Sequence, residues 1–259
     1  MEKRFWWLLL TTCGIVLAGD MTLAIPPITI PLPVEGQSVS VTTGGSISAI
    51  PGSQDQFRVN LQVDLTDFQR NLLAILRPQL DRNDACGERI ALQDAAIVPQ
   101  EPSGLMTVKL HFERWACIKA LGKKVEKKLV GGNGVVQIKV TPVLEQDHST
   151  TVRLAAEVGS IDADGSLGDL LRSGSVGQAL RDKITRSVQS SLDKGTNWSA
   201  TIPPALESIL ALGAVAFQDG GNGGLRLTAA GEVRIPAAQM EALVRQLKQR
   251  PAAQSRTAQ

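Results

Sequence analysis

CGERIALQDAAIVPQEPSGLMTVKLHFERWAC, residues 86–117, decides the fold. Two segments of alternating polarity, 88–98 and 105–116, flank the Pro-Gln-Glu-Pro-Ser-Gly loop at 99–104, which predicts a β-hairpin. Pairing Val98 with Leu105 and stepping outward residue by residue brings Cys86 opposite Cys117. Loop and cysteines point independently to one register, in which the two sulfurs face each other across the open end and can form a cross-strand disulfide. The same register sets Ala91 opposite Phe112, Gln93 opposite Leu110, Ala95 opposite Val108 and Ile97 opposite Met106 on a largely apolar face. Asp94 meets Lys109 on the other face, and His111 meets Leu92. It also sets Arg89 opposite Arg114. Like charges across a ladder repel, so a bulge or a splayed end is expected there.

Upstream, Lys3 and Arg4 precede an uncharged, mostly apolar run over 5–18, too short to span a bilayer, which takes about 20 residues. Residues 1–24 read as a secretory signal peptide, cleaved after Ala18 or after Ala24, with an uncleaved anchor as the alternative. Thr12 before Cys13 departs from the small residue that a lipoprotein signal places there. Export, to a periplasm or the cell exterior, makes an even cysteine pair a disulfide before it is a metal or redox site. Residues 25–56, with Pro26, Pro27, Pro31, Pro33 and a Ser/Thr/Gly stretch, read as a tether in which 39–42 and Ile47 could add an edge strand.

A single domain is then expected over 57–235. Phe57, Val59, Leu61, Val63 and Leu65 alternate as a half-buried strand. Thr66 and Gln69 fit a capping box opening a helix whose apolar side carries Phe68, Leu72, Ile75 and Leu76, with Pro78 near its end. After the central hairpin come Lys119, Lys123, Lys124, Lys127 and Lys128, interrupted by Glu126. This basic patch suits anionic head groups or an acidic partner; equally, it can keep a neighbouring edge strand wet and unaggregated. Gly131, Gly132 and Gly134 lead into a strand and not a helix, so they read as a turn and not a phosphate loop. Val136 to Leu144 and Val152 to Val158 make a second hairpin, and Ala214 to Gln218 with Leu225 to Ile235 a third. Asp162-Ala-Asp164-Gly165 starts like a calcium loop but lacks its later ligands and reads as a turn.

The longest helical stripe is Val176, Leu180, Ile184, Val188 and Leu192 within 175–194, sweeping a wide apolar arc that a curved sheet could enclose. Residues 236–259 read as a basic amphipathic helix and a tail. The order of elements gives an α+β fold: antiparallel β-hairpins forming a curved sheet packed on long amphipathic helices. The leader, the cysteine-linked hairpin ending Phe112-Glu113-Arg114-Trp115-Ala116-Cys117 and the long helix together resemble the tubular lipid-binding superfamily, which includes the bactericidal/permeability-increasing-like domains. That resemblance covers about 57–235, rests on element order, and implies a twisted sheet wrapping a helix and leaving an apolar groove for lipid.

Net charge is +2 and aromatic content only 3% with no Tyr, which argues against nucleic-acid partners and stacking platforms. No G-x-S-x-G is present, and neither His111 nor His148 sits in a metal motif. No enzyme, cofactor or metal site is expected. Two readings follow. In the first, the chain binds a lipid or other hydrophobic ligand in a groove walled by Leu110, Phe112, Val140, Leu154, Ile184 and Val188. In the second, it is a cell-envelope scaffold or protein-interaction module with a solid core. Whichever holds, non-reducing peptide mapping of exported protein should recover peptides around Cys86 and Cys117 as one linked species; two free thiols would refute the register argument.

Overall fold

The computed structural model describes residues 22–34, 37–53, 55–120, 123–146, 150–172 and 210–236, with Gln178, Asp182, Thr185, Arg186, Gln189 and Ser190. In chain order the elements are β1 (Thr22–Val34), β2 (Gln37–Ala49), β3 (Gln56–Asp64), α1 (Thr66–Leu80), β4 (Arg82–Asn83), β5 (Glu88–Gln100) and β6 (Ser103–Ala120). They continue with β7 (Lys123–Gln146), β8 (Thr150–Ala163), α2 (Gly165–Arg172), β9 (Leu210–Asp219) and β10 (Leu225–Arg234). Two antiparallel sheets of five strands result, one in the order β1-β2-β3-β10-β9 and the other β4-β5-β6-β7-β8.

The α+β expectation is corrected. Among the described residues the chain is mostly β, 71% strand against 16% helix, with curled sheets; α1 and α2 are short, and no long amphipathic helix is present among those residues. Two misreadings account for the difference. The first is the tether, most of which is the hairpin β1–β2, with Ile25, Leu32, Val34, Val39, Val41 and Ile47 buried. Proline lacks a ladder donor but is tolerated on an edge strand, and β1 is such an edge; Pro26 and Pro27 fall where its register with β2 shifts. The second is β7, which runs without a turn through the basic run and the glycines. Gly132 is needed there because α2 crosses it. A Cβ at that position would lie 2.5 Å from the Asp164 carbonyl oxygen and 3.1 Å from Leu167 Cβ. The stripe Val176, Leu180, Ile184, Val188 and Leu192 lies outside the described residues, as do residues 1–21 of the expected leader and 237–259 of the expected C-terminal helix.

The central hairpin keeps the expected register from Val98↔Leu105 to Asp94↔Lys109, and then shifts by one residue between Leu92 and Asp94. Beyond the bulge at Gln93, Arg89 opposes Glu113 and Glu88 opposes Arg114, so the anticipated Arg–Arg clash becomes two favourable pairs. His111 consequently faces Ala91 and not Leu92. Cys86 and Cys117 are disulfide-bonded with Cα atoms 5.3 Å apart, Cys86 sitting in the β4–β5 turn.

One apolar core joins both sheets and α1, from Val59, Leu61 and Val63 of β3 through Phe68, Leu72 and Leu76 to Met106, Ile138 and Leu154. Polar contacts fix how the sheets meet. Gln69 forms no capping box; the residue before the helix is Leu65, and no side chain caps it. Instead the Gln69 amide nitrogen donates to the carbonyls of Ile97 (2.7 Å) and Gly223 (2.9 Å), while its oxygen accepts from the Leu225 N–H (3.1 Å). One side chain of α1 thereby ties β5 in one sheet to the β9–β10 turn of the other. Nearby, the Thr66 hydroxyl and amide both donate to Asp64, which holds that carboxyl below its ordinary range. The Phe217 N–H closes the other seam on the Pro102 carbonyl at 2.8 Å. Replacing Gln69 with Leu removes three hydrogen bonds at about 1 kcal/mol each. Chemical denaturation should show a loss of about 3 kcal/mol, and Gln69→Glu should not restore it, because a carboxylate cannot donate to the two carbonyls.

Candidate functional site

The candidate site grows out of unequal strand lengths. β6 and β7 pair as far as Ala120↔Lys123, but β5 leaves β6 at Glu88↔Arg114 and β8 leaves β7 at Gly134↔Ala163. The far end of the β6–β7 hairpin is therefore a two-stranded arm extending past the sheet. Alternation along β6 puts Met106, Val108 and Phe112, all buried, on the face that also carries Arg114, Ala116 and Ile118. The core-side face thus continues onto the arm after its cover ends. Phe112 is the last residue beneath that cover, packed with Leu167 of α2 in a small second cluster. Beyond it Ile118 and Val125, paired directly across the strands, are 51% and 49% exposed. Leu129 is left unpaired where the register steps from Arg114↔Val130 to Trp115↔Lys128, and it is 54% exposed.

The opposite face of the arm is polar and braced at its base. Cys117 is anchored to the β4–β5 turn by the disulfide. The Arg89 guanidinium stacks 4.3 Å from the Trp115 ring centroid and pairs with Glu126 at 3.2 Å. Glu113 accepts from Lys128 Nζ, from Trp115 Nε1 at 2.8 Å and from His111 Nε2 at 3.3 Å. The Lys128 ammonium, then the indole and imidazole, hold its carboxyl down to about 2. On the far side of the imidazole, His111 Nδ1 lies 2.9 Å from Asn133 Oδ1. Asn133 in turn donates its backbone N–H (2.6 Å) and its amide (3.1 Å) to Asp164, whose carboxyl is lowered by these bonds. The segment expected as a turn thus spends its carboxylate on β7 and opens α2. Among the described residues no cluster of three metal-ligating side chains occurs.

These pairings sort the basic patch. Glu126 is matched by Arg89 and Lys128 by Glu113, while Lys127 has no ion-pair partner among the described residues. Lys119, Lys123 and Lys124 occupy the tip, Lys119↔Lys124 and Ala120↔Lys123 being its last two pairs.

The residues expected to wall a groove are distributed differently. Val140 and Leu154 are buried in the main core, Phe112 belongs to the α2 cluster, and Leu110 packs against both. Ile184 and Val188 lie outside the described residues. A cavity of about 590 Å³ runs along β8 beside Gln178, Asp182 and Thr185, and one of about 400 Å³ lies among Ser46, Asn60, Gln62, Ala214 and Thr228 of the first sheet. Among the described residues, neither is lined by Leu110, Phe112, Val140 or Leu154.

No protein-family model matches the chain, and no curated protein matches it. Among solved structures it is similar to one described as a lipopolysaccharide binding protein. The two share 10% identity at a TM-score of 0.36, over 71% of this chain and 44% of that one. This is a weak resemblance in fold, and the chain spans less than half of the other's length.

Sequence reasoning missed Ile118, Val125 and Leu129. The signal was present, since each apolar residue sits beside a lysine in Ile-Lys-Ala-Leu-Gly-Lys-Lys-Val-Glu-Lys-Lys-Leu, residues 118–129, where charge alone drew attention.

The Glu113 cluster yields a pH test with a fixed sign. A carboxyl depressed on folding stabilises the native state above its unfolded value near 4.5 and loses that contribution as pH falls towards about 2. The Trp115 indole proton, followed by NMR, should hold its shift from pH 7 to 5 and move only below pH 4. In Glu113→Gln this acid titration should disappear.

Proposed function

We propose that this protein is a non-catalytic, exported module that binds a lipid or other hydrophobic ligand on the uncovered apolar face of the β6–β7 arm. One observation carries the reading: the core-side face of the hairpin runs on past its cover and ends in the directly paired Ile118 and Val125, each about half exposed, and the unpaired Leu129 of the same arm is exposed as well. Arg114 and Lys127 stand on the same face, so the exposed apolar pair is rimmed by charge, a pattern that marks interaction sites. Placing the ligand on the arm also fits Val140 and Leu154 being packed in the core. Export is supported by the disulfide and by the apolar run at 5–18; among the described residues, no helix is long and apolar enough to cross a membrane.

Burying the exposed half of three aliphatic side chains is worth about 1 kcal/mol each, or about 3 kcal/mol in all. That sum corresponds to partitioning at millimolar lipid, weak and reversible. Binding to vesicles of zwitterionic phosphatidylcholine should therefore saturate only at millimolar lipid, and the pair Ile118→Ser with Val125→Ser should weaken it about thirtyfold. The melting temperature should hardly change, since both residues are half exposed already. Equal partitioning of wild type and double variant would remove the arm from consideration.

A further inference from the structure

We infer that the ligand of the arm is an anionic lipid surface, on which the arm lies with its Ile118/Val125 face down. The inference rests on the arm being the binding surface and adds what it binds and in which orientation. The apolar contribution alone is weak, and stable attachment of peripheral proteins takes a second signal. Here the second signal is charge, and the structure sharpens it beyond what the sequence offers. The one acid in the run, Glu126, is held by Arg89, which is itself fixed over Trp115. Of the lysines with described side chains, Lys128 is paired with Glu113. Among the described residues Lys127 has no ion-pair partner, and the register sets Lys119, Lys123 and Lys124 on the last two pairs of the arm.

The order of residues along the arm sets the orientation. Lys119, Lys123 and Lys124 lie farther out than Ile118 and Val125, on the last two pairs of the ladder. Tip-first insertion would drive three ammonium groups below the head groups before the aliphatic pair reached the acyl region, which is strongly unfavourable. Lying on its side, the arm places Ile118 and Val125 at the boundary of head groups and chains. Lysine stems can then reach the head groups along its flanks. From Cys117↔Glu126 to Ala120↔Lys123 the arm extends about 10 Å, at about 3.4 Å per residue. That length matches the footprint of a few lipid head groups and cannot span a bilayer leaflet with its polar side dry. An isolated two-stranded hairpin is marginally stable, and the disulfide at Cys117 with the Arg89–Trp115 stack supply a rigid base beside the contact.

The test uses full-length exported protein and sedimentation with two vesicle types, pure phosphatidylcholine and phosphatidylcholine with 30% phosphatidylglycerol. Each lysine near an anionic surface contributes about fivefold, so wild type should bind the anionic vesicles at least about a hundredfold more tightly. The preference should collapse in half-molar salt. Replacing Lys119, Lys123, Lys124 and Lys127 together with Gln should reduce anionic binding to the neutral level, with the melting temperature unchanged. The pair Ile118→Ser, Val125→Ser should weaken binding to both vesicle types by the same factor. Equal affinity for both vesicles, with the Ser pair still weakening it, would overturn the anionic-surface inference and leave hydrophobe binding standing. Full anionic binding by the Ser pair would overturn the face-down orientation and reduce the interaction to adsorption of a polycation. Binding to neither vesicle would overturn both readings.

Discussion

A single inserted residue, Gln93, reconciles the two ends of the central hairpin. The apolar pairs from Val98↔Leu105 to Ala95↔Val108 require one register, and the charges at Arg89, Glu88, Glu113 and Arg114 require the next one over. An unbulged ladder could satisfy only one set, and the cost would fall on two guanidinium groups held side by side. With the bulge, Ile90 joins Phe112 on the core side and Arg89 moves to the outer face. From there it reaches both Trp115 and Glu126. The bracing of the arm is thus a consequence of a packing compromise made about twenty residues away in sequence.

The two sheets are held by a similar economy of polar groups. Apolar burial brings β-sheets together without direction, whereas hydrogen bonds across the seam choose one relative placement. Gln69 carries two of its contacts to carbonyls and one to an N–H, using both ends of its amide, and reaches both sheets from the first turns of α1. The Phe217 N–H performs the same task at the β5–β6 turn. Asp67, also on α1, accepts from the Ser40 N–H at 2.8 Å and adds β2 to the elements that the helix orients.

Local pairings were legible in the sequence because alternation and turn chemistry are local: three hairpins, the strand ending at Asp64 and α1 with its buried Phe68, Leu72, Ile75 and Leu76 all follow from short-range pattern. What was not legible depends on partners distant in sequence. Prolines at 26, 27, 31 and 33 speak for an extended chain, and only the presence of β2 on one side turns that chain into an edge strand. Gly131, Gly132 and Gly134 look like a turn until α2 is known to cross the strand. The exposure of Ile118 and Val125 has no local sign in the sequence, since exposure is a property of what stops short around them, and neither β5 nor β8 announces where it will end.

The lysines at the tip invite a simpler explanation, that they keep an exposed hairpin from pairing with a neighbour. That account explains charge on the outermost pairs, where Lys119 opposes Lys124. Two like charges directly opposed weaken the ladder, so their presence asks for a compensating gain, and protection against aggregation is one. It does not explain why the next pair inward is Ile118 with Val125, because an arm selected only to stay solvated would carry Thr, Ser or Gln there at little cost in strand propensity. Charge repels the wrong partner while the apolar pair retains attraction for some partner. A surface that is both negative and greasy satisfies the two residue types at once, and the anionic lipid interface has that combination.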